Sequence, residues 1–350
     1  MNLSPPNAPE PATPDSAQAV ARLAHGSVLV VGDAMLDRYI HGTVSRMSPE
    51  APSIPVLAEE RELALPGGAA NVVRYLTALG AAVAFISVVG DDPAGSDLTG
   101  LVGGQPNVEP WLLVEGGRTT TVKTRYLSNG RHLLRADREQ VTPIPERLAE
   151  RVLRIARDAM AATSLTVLSD YGKGVLADGM AARLIAAAHE SGRPVIAAPP
   201  RGISDQDLAA YAGADGLVLC RTDPDAAGPG GDSAAGESGV ARAAALRAAS
   251  GAGTLLLVEP AGLALATAGG AWSFATAATR MSGGMLADPL VAMLAAAMAV
   301  RLDPSVTLQL AGLATVIVAA KGGTAVVRPD DLLAALAMPD APPVASVAPA

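Results

Sequence analysis

At 350 residues the chain is long enough for one large domain or two ordinary ones, with a core that stands without cross-links. Half of its residues are hydrophobic and 17% are charged, which excludes a largely disordered protein, and aromatics at 3% leave the core mainly to Ala, Val and Leu. Acidic residues outnumber basic ones 34 to 26, a net charge of −8 with no long basic run, so nucleic acid is not an expected partner. The single cysteine, Cys220, excludes an intramolecular disulfide framework and a multi-cysteine zinc site, and a reducing cytoplasm is the expected compartment.

The first twenty residues are rich in proline and carry no positive side chain, unlike a signal peptide, and residues 1–24 read as a flexible tail. The run SVLVV over 27–31, followed by Gly32-Asp33, predicts a buried strand ending in a turn. Similar short apolar runs predict strands at 82–89, 164–169, 194–198, 216–220 and 254–258. Ala- and Leu-rich stretches with helical spacing fall at 69–79, 145–162, 176–191 and 239–249. Strands that are continuously apolar and alternate with helices predict an α/β fold, a parallel sheet covered on both faces.

Residues 38–64 and 110–137 break this rhythm. Polar-alternating runs around Ser128-Asn129-Gly130 predict a hairpin, and both segments are expected in a small β-flap beside the main sheet. The stretch 223–237, DPDAAGPGGDSAAGE, reads as a surface loop. The apolar stretch from Leu310 to Ala320 is shorter than the roughly 20 residues of a bilayer span, so no membrane segment is expected. Residues 339–350 read as a C-terminal tail.

Four constellations carry candidate chemistry. Gly32-Asp33-Ala34-Met35-Leu36-Asp37 places two carboxylates after the first strand, at the carboxyl end where open α/β sheets bind ligands; a turn followed by a solvated acid is the structural alternative. In Pro66-Gly67-Gly68-Ala69-Ala70-Asn71-Val72, Gly67 and Gly68 allow backbone N–H groups close to a ligand, and the Asn71 amide can donate to and accept from hydroxyls; a plain helix start explains the glycines as well. Lys123, Arg125 and Arg135 are strand cations suited to clamping a phosphate, or to keeping an edge soluble. Asp288-Pro289 opens an apolar helical run, where Asp288 is either a general base at a helix N-terminus or simply the N-cap before a first-turn proline.

In this order, VVGDAMLDRY (30–39), SRMSPEAP (45–52), PGGAANV (66–72), KTRYLSNGRHLLRAD (123–137), LSDYGKG (168–174) and KGGTAVV (321–327) resemble the ribokinase-like (PfkB) sugar kinases, and within them the heptose-7-phosphate kinases of ADP-heptose synthesis. The resemblance covers about residues 25–338. It implies a three-layer α/β/α sandwich with a mainly parallel central sheet and a β-flap lid, as one kinase domain. The implied reaction is transfer of the γ-phosphate of ATP, with Mg²⁺, to the anomeric hydroxyl of D-glycero-β-D-manno-heptose 7-phosphate, in the synthesis of lipopolysaccharide core. By position Asp33, Gly67, Gly68 and Asn71 would hold sugar hydroxyls, while Lys123, Arg125 and Arg135 are candidates for the existing phosphate. Asp288 falls on the catalytic base, and Gly283, Gly284 and Gly323 fall on the nucleotide side. The metal ligands are not identified. The adenylyltransferase domain that follows the kinase in bifunctional members is expected to be absent. The exposed flap strands could also pair two copies across a twofold axis.

Departures cluster on the nucleotide side. Met285-Leu286-Ala287-Asp288 stands where the family has Gly-Ala-Gly-Asp, and Ala198-Pro199-Pro200-Arg201-Gly202 where it has Asp-Pro-Lys-Gly. Arg221-Thr222-Asp223-Pro224 and Val258-Glu259-Pro260-Ala261-Gly262 replace two further motifs. Two functions are therefore expected alternatives: a working sugar-phosphate kinase, or an impaired relative that keeps the sugar site as a sensor or partner subunit.

Overall fold

The computed structural model describes residues 14–221, 239–276, 286–322, 324–338 and 344–347. The first buried strand sets the architecture. In β1 (Ser27–Gly32), Val28 and Val30 point to one face and Leu29 and Val31 to the other, and all four are buried. A strand apolar on both faces needs a layer on each side. One side is packed by α1 (Pro14–Leu23), α2 (Ala69–Ala78), α3 (Pro93–Gly103), α7 (Ala287–Ala299), α8 (Pro304–Lys321) and α9 (Pro329–Leu336). The other is packed by α4 (Glu146–Ala162), α5 (Met180–Glu190) and α6 (Gly239–Ser250).

The main sheet has ten strands. From one edge to the other they are β14 (Ala345–Val347), β13 (Gly270–Ala275), β12 (Gly262–Thr267), β11 (Thr254–Glu259), β10 (Gly216–Cys220), β9 (Val195–Ala198), β8 (Leu165–Ser169), β1, β4 (Ala82–Gly90) and β5 (Val108–Glu115). From β11 to β5 every pairing is parallel, while β12, β13 and β14 run antiparallel. The chain moves outward from β1 through β4 to β5, then returns to β8 and moves the opposite way. The strand order therefore reverses between β1 and β8, which is where open α/β sheets leave a crevice at their carboxyl ends.

Beside this sheet, β3 (Pro55–Gly68), β2 (Ala34–Met47), β6 (Val122–Ser128) and β7 (Arg131–Arg138) form a separate four-stranded flap in that order. The expected hairpin joins β6 to β7, with Asn129 and Gly130 at φ of 50° and 77°, the left-handed pair that a tight two-residue turn requires.

Three expectations are corrected. Residues 14–23, assigned to the N-terminal tail, form α1, because Ala19, Val20 and Leu23 share one face and bury it in the core. Residues 108–115, assigned in part to the flap, pair with β4 as the edge of the main sheet. Residues 345–347, assigned to the C-terminal tail, pair with β13. The helix α8 is apolar and long enough by composition to cross a bilayer, yet Leu308, Leu310, Leu313 and Val318 pack it into the core.

Within α8, Gly312 faces Phe274, which is fully buried, and a Cβ there would lie 2.4 Å from the ring. Alanine is the better helix former by about 1 kcal/mol, but the ring of Phe274 cannot retreat from a filled core, and overpacking costs about 1–3 kcal/mol. Gly312→Ala is therefore expected to lower the stability measured by urea denaturation, and unchanged or raised stability would show that the core at Phe274 is loosely packed.

Candidate active site

Asp33 leaves β1 at the crevice and is 1% exposed. Its carboxylate is fully engaged by the loop that follows β8. Oδ2 accepts from the backbone N–H groups of Tyr171 at 2.9 Å and Lys173 at 3.0 Å, and Oδ1 accepts from Val175 N–H at 3.0 Å. Burial and the neighbouring charge of Asp170 push the Asp33 carboxyl up to about 6, while the three backbone donors pull against that rise. Asp170 is tied in turn, accepting from the Tyr211 hydroxyl at 2.6 Å and from Gly172 N–H at 2.7 Å. On the far side of the loop the buried Arg118 guanidinium donates to the carbonyls of Lys173 and Thr142 and pairs with Glu115 at 2.8 Å. Asp33, expected among the sugar ligands, is thus placed as the clamp of loop 170–175.

The loop delivers Tyr171 to Asp288. The Tyr171 hydroxyl donates to Asp288 Oδ1, and the Asn71 amide donates to Oδ2 at 2.6 Å. Arg74 donates to the Asn71 carbonyl oxygen at 2.8 Å, so the Asn71 amide is left with its NH₂ toward Asp288. Burial raises the Asp288 carboxyl above the ordinary range. The hydrogen bonds from Tyr171 and Asn71 and the charge of Arg201 oppose that rise, and the charge of Asp37 adds to it. The N-cap alternative is not what the structure shows: Leu286 holds the N-cap position of α7 without a side-chain bond, and Asp288 lies inside the first turn with its carboxylate turned to α2 and loop 170–175.

Gly67 and Gly68 end β3 and start α2. A Cβ on Gly67 would lie 2.3 Å from Asp37 Oδ2, and Gly68 has φ 58° against the Asp33 carbonyl and Met35, so both positions exclude side chains. In the flap, register sets Asp37, Lys123 and Asp137 side by side, with Tyr39, Arg125 and Arg135 in the next row of the same face. Each cation is paired. Arg125 meets Asp37 at 2.5 Å and lies 5.0 Å above the Tyr39 ring, Lys123 meets Asp137 at 2.9 Å and Glu139 at 3.4 Å, and Arg135 meets Asp137 at 3.0 Å. Lys173 of the clamped loop joins Glu139 at 2.9 Å. Asp37, one of the two carboxylates singled out in GDAMLD, thus sits on the cationic face of the flap, while Tyr171 is a site residue that motif reading left without a role although LSDYGKG contains it.

A family model for pfkB family carbohydrate kinases matches residues 26–223. This chain belongs to the pfkB family. It is 52% identical over 324 residues to the bifunctional protein HldE of Acidiphilium cryptum, covering 92% of this chain and 65% of that protein, and 43% identical over 325 residues to HldE of Paramagnetospirillum magneticum, covering 91% and 65%. The chain thus spans 65% of the length of these relatives. Its fold is similar to a possible 1-phosphofructokinase of Thermotoga maritima, at TM-score 0.71 and 15% identity, covering 92% of this chain and 99% of that one. It is also similar to a carbohydrate kinase of Agrobacterium tumefaciens, at TM-score 0.67 and 18% identity, covering 92% and 100%.

The pfkB-type crevice continues toward the departures. The loop after β9 lines a cavity of about 580 Å³ through Pro200, Arg201 and Gly202, together with Asp170, Tyr211, Asp207 and Ser204. Arg201 on that loop is close enough to lower the titration of both Asp288 and Tyr171. Arg221 holds the same region, donating to Ile203 O at 2.7 Å and pairing with Asp205 at 2.8 Å. Glu259 is paired with Arg242 of α6. Leu286 turns its side chain into the core at 1% exposure. Gly283, Gly284, Gly323 and Met285 lie outside the described residues, as does 222–224.

The clamp makes a specific prediction. Asp33→Asn puts an NH₂ group against backbone N–H donors in the interior, with an expected loss of roughly 1–3 kcal/mol in urea denaturation and faster amide exchange at 171, 173 and 175. The pH dependence has a definite sign: the Asp33 carboxyl titrates higher in the folded chain than its ordinary 3.8, so its contribution to stability is fully present below pH 3.8 and is lost as pH rises through about 6. The stability difference between wild type and Asp33→Asn should shrink across that window, and a difference that grows there would show that the three backbone donors outweigh burial and hold the carboxyl below its ordinary range.

Proposed function

We propose that this chain transfers the γ-phosphoryl group of ATP to the anomeric hydroxyl of D-glycero-β-D-manno-heptose 7-phosphate. The observation that carries the reading is the enclosed Asp288 carboxylate at the crevice, held on both oxygens by Tyr171 and Asn71, with Asp37 of the cation-bearing flap close enough for its charge to act on it. In this reading Asp288 accepts the hydroxyl proton as the oxygen attacks the γ-phosphorus and ADP departs, and catalysis is mostly positioning and electrostatics. Asp37 and the backbone at Gly67 and Gly68 border the space for the sugar. The 7-phosphate would take Lys123, Arg125 and Arg135 from their carboxylate partners, exchanging Asp37 and Asp137 for a more highly charged anion with the same bidentate geometry.

In this reading Arg201, whose charge already acts on Asp288 and Tyr171, and the N-terminus of α7 would compensate charge on the transferring phosphoryl group. Among the described residues no group of three or more His, Cys, Asp or Glu side chains is arranged to hold a metal. Magnesium enters this reading with ATP as the substrate complex, for which one or two carboxylates and water are enough. The resemblance of the motifs to heptose-7-phosphate kinases supports the substrate class, and a cytoplasmic site of action goes with phosphorylated substrates.

ADP release from Mg·ATP and heptose 7-phosphate is expected with wild-type protein. Asp288→Asn should lose about 10²–10⁴ of kcat while binding the sugar phosphate nearly as tightly; full activity in that variant would remove Asp288 from proton transfer. Lys123→Ala should weaken binding of the sugar 7-phosphate by about tenfold or more, measured by calorimetry, and leave the unphosphorylated sugar within about twofold. Equal losses for the two ligands would remove Lys123 from the phosphate site.

A further inference from the structure

Tyr171 belongs to no part of the reaction described so far. Its hydroxyl has Asp288 as its hydrogen-bond partner, and its backbone N–H is the first of the three that Asp33 anchors. A tyrosine that only filled space would need neither the hydroxyl contact nor a clamped backbone. We propose that Tyr171 is the positioning residue of Asp288, its hydroxyl fixing one carboxylate oxygen opposite the Asn71 amide so that the carboxylate keeps one angle toward the substrate hydroxyl. The inference rests on the reading of Asp288 as proton acceptor.

Two donors approach Asp288 from different elements, Asn71 from α2 and Tyr171 from loop 170–175, one to each oxygen. The carboxylate cannot rotate about its last torsion without breaking both bonds, and each oxygen keeps a second lone pair for an incoming hydroxyl. Asn71 is braced by Arg74, and Tyr171 is braced through the Asp33 clamp, with Arg118 holding the carbonyl of Lys173 two residues on. The side chain that orients the base is therefore itself fixed by a buried network, as precise orientation demands.

The same bond sets the charge state. Burial and the charge of Asp288 push the Tyr171 phenol well above its ordinary range, so it keeps its proton and acts only as a donor. A donor to the carboxylate favours the anion. The charged and titratable groups around Asp288 are Tyr171 from the loop after β8, Arg74 and Tyr75 from α2, Asp37 from β2 and Arg201 from the loop after β9, with Cys220 at the end of β10 beside Tyr171. Among these, Tyr171 is the neutral group that donates to Asp288, and its hydroxyl can be removed without changing the charge of the crevice.

The test is Tyr171→Phe, read in two ways. First, the carboxylic C=O stretch of protonated Asp288, assigned by its loss in Asp288→Asn, is followed against pH by infrared difference spectroscopy. The midpoint is expected about half a pH unit or more higher in the phenylalanine variant; an unchanged midpoint overturns the proposal. Second, kcat and KM are measured against pH with Mg·ATP and heptose 7-phosphate. The acid limb of kcat/KM should move up with the infrared midpoint and kcat should fall roughly tenfold at neutral pH, recovering in part at higher pH, with both KM values within about twofold. A uniform loss at every pH with no shift of the limb also overturns it.

If wild-type protein does not turn over this sugar phosphate while the infrared midpoint still moves, the substrate reading fails and the link between Tyr171 and Asp288 stands. Should the phenylalanine variant not fold, 3-fluorotyrosine placed at position 171 keeps the shape and donates a stronger hydrogen bond. The Asp288 midpoint is then expected below that of wild type, and an equal or higher midpoint overturns the proposal.

Discussion

A carboxylate enclosed at the point where the sheet reverses its strand order is the constraint on which the crevice depends. Asp33 has almost no solvent contact, and a bare anion there would cost several kcal/mol. The chain compensates by turning three backbone N–H groups of one loop onto it, at Tyr171, Lys173 and Val175. The loop can hold that shape because Gly172 and Gly174 adopt φ of 65° and 105°. One buried charge therefore orders a loop that would otherwise be free to move over the carboxyl ends of β1 and β8. The ordered loop then presents Tyr171 to Asp288 and Lys173 to Glu139.

The flap supplies a contrasting electrostatic design. Its inward face carries Lys123, Arg125 and Arg135, and every one is matched with a carboxylate of the chain itself. Against the effect of burial, Lys123 and Arg135 hold the Asp137 carboxyl below the ordinary range, so these are charged pairs rather than neutral contacts. The side chains are partly exposed, where such pairs contribute little to stability and exchange partners readily. In the proposed reaction such a face would offer its cations to a ligand bearing two negative charges.

The layers of the fold are legible in the sequence because buried parallel strands are apolar on both faces. Val28 to Val31 cannot be mistaken for a half-exposed strand, and the hairpin turn at Asn129-Gly130 states its own geometry. What escapes is whatever depends on distant partners. The segment 14–23 follows a proline-rich stretch and becomes a helix because Val20 and Leu23 find the core. Residues 110–115 read as flap because they carry few helical signals, yet their backbone completes the edge of the main sheet beside β4. The site shows the same division. Asn71 and Asp288 are 217 positions apart and share one hydrogen bond, a pairing that motif order suggests and only the fold supplies. Asp33 looks like a ligand residue in GDAMLD and is committed to the backbone of a loop more than a hundred residues later.

In the proposed reaction the crevice holds a sugar phosphate with its reacting hydroxyl on Asp288. A crystal structure of Asp288→Asn with heptose 7-phosphate and a non-hydrolysable ATP analogue tests it most directly. The anomeric oxygen is expected within hydrogen-bond distance of residue 288, and the 7-phosphate among Lys123, Arg125 and Arg135 after Asp37 and Asp137 have released them. A sugar phosphate bound away from residue 288, or with its phosphate against α7 and its anomeric carbon against the flap cations, would remove Asp288 from proton transfer and the flap cations from the phosphate site.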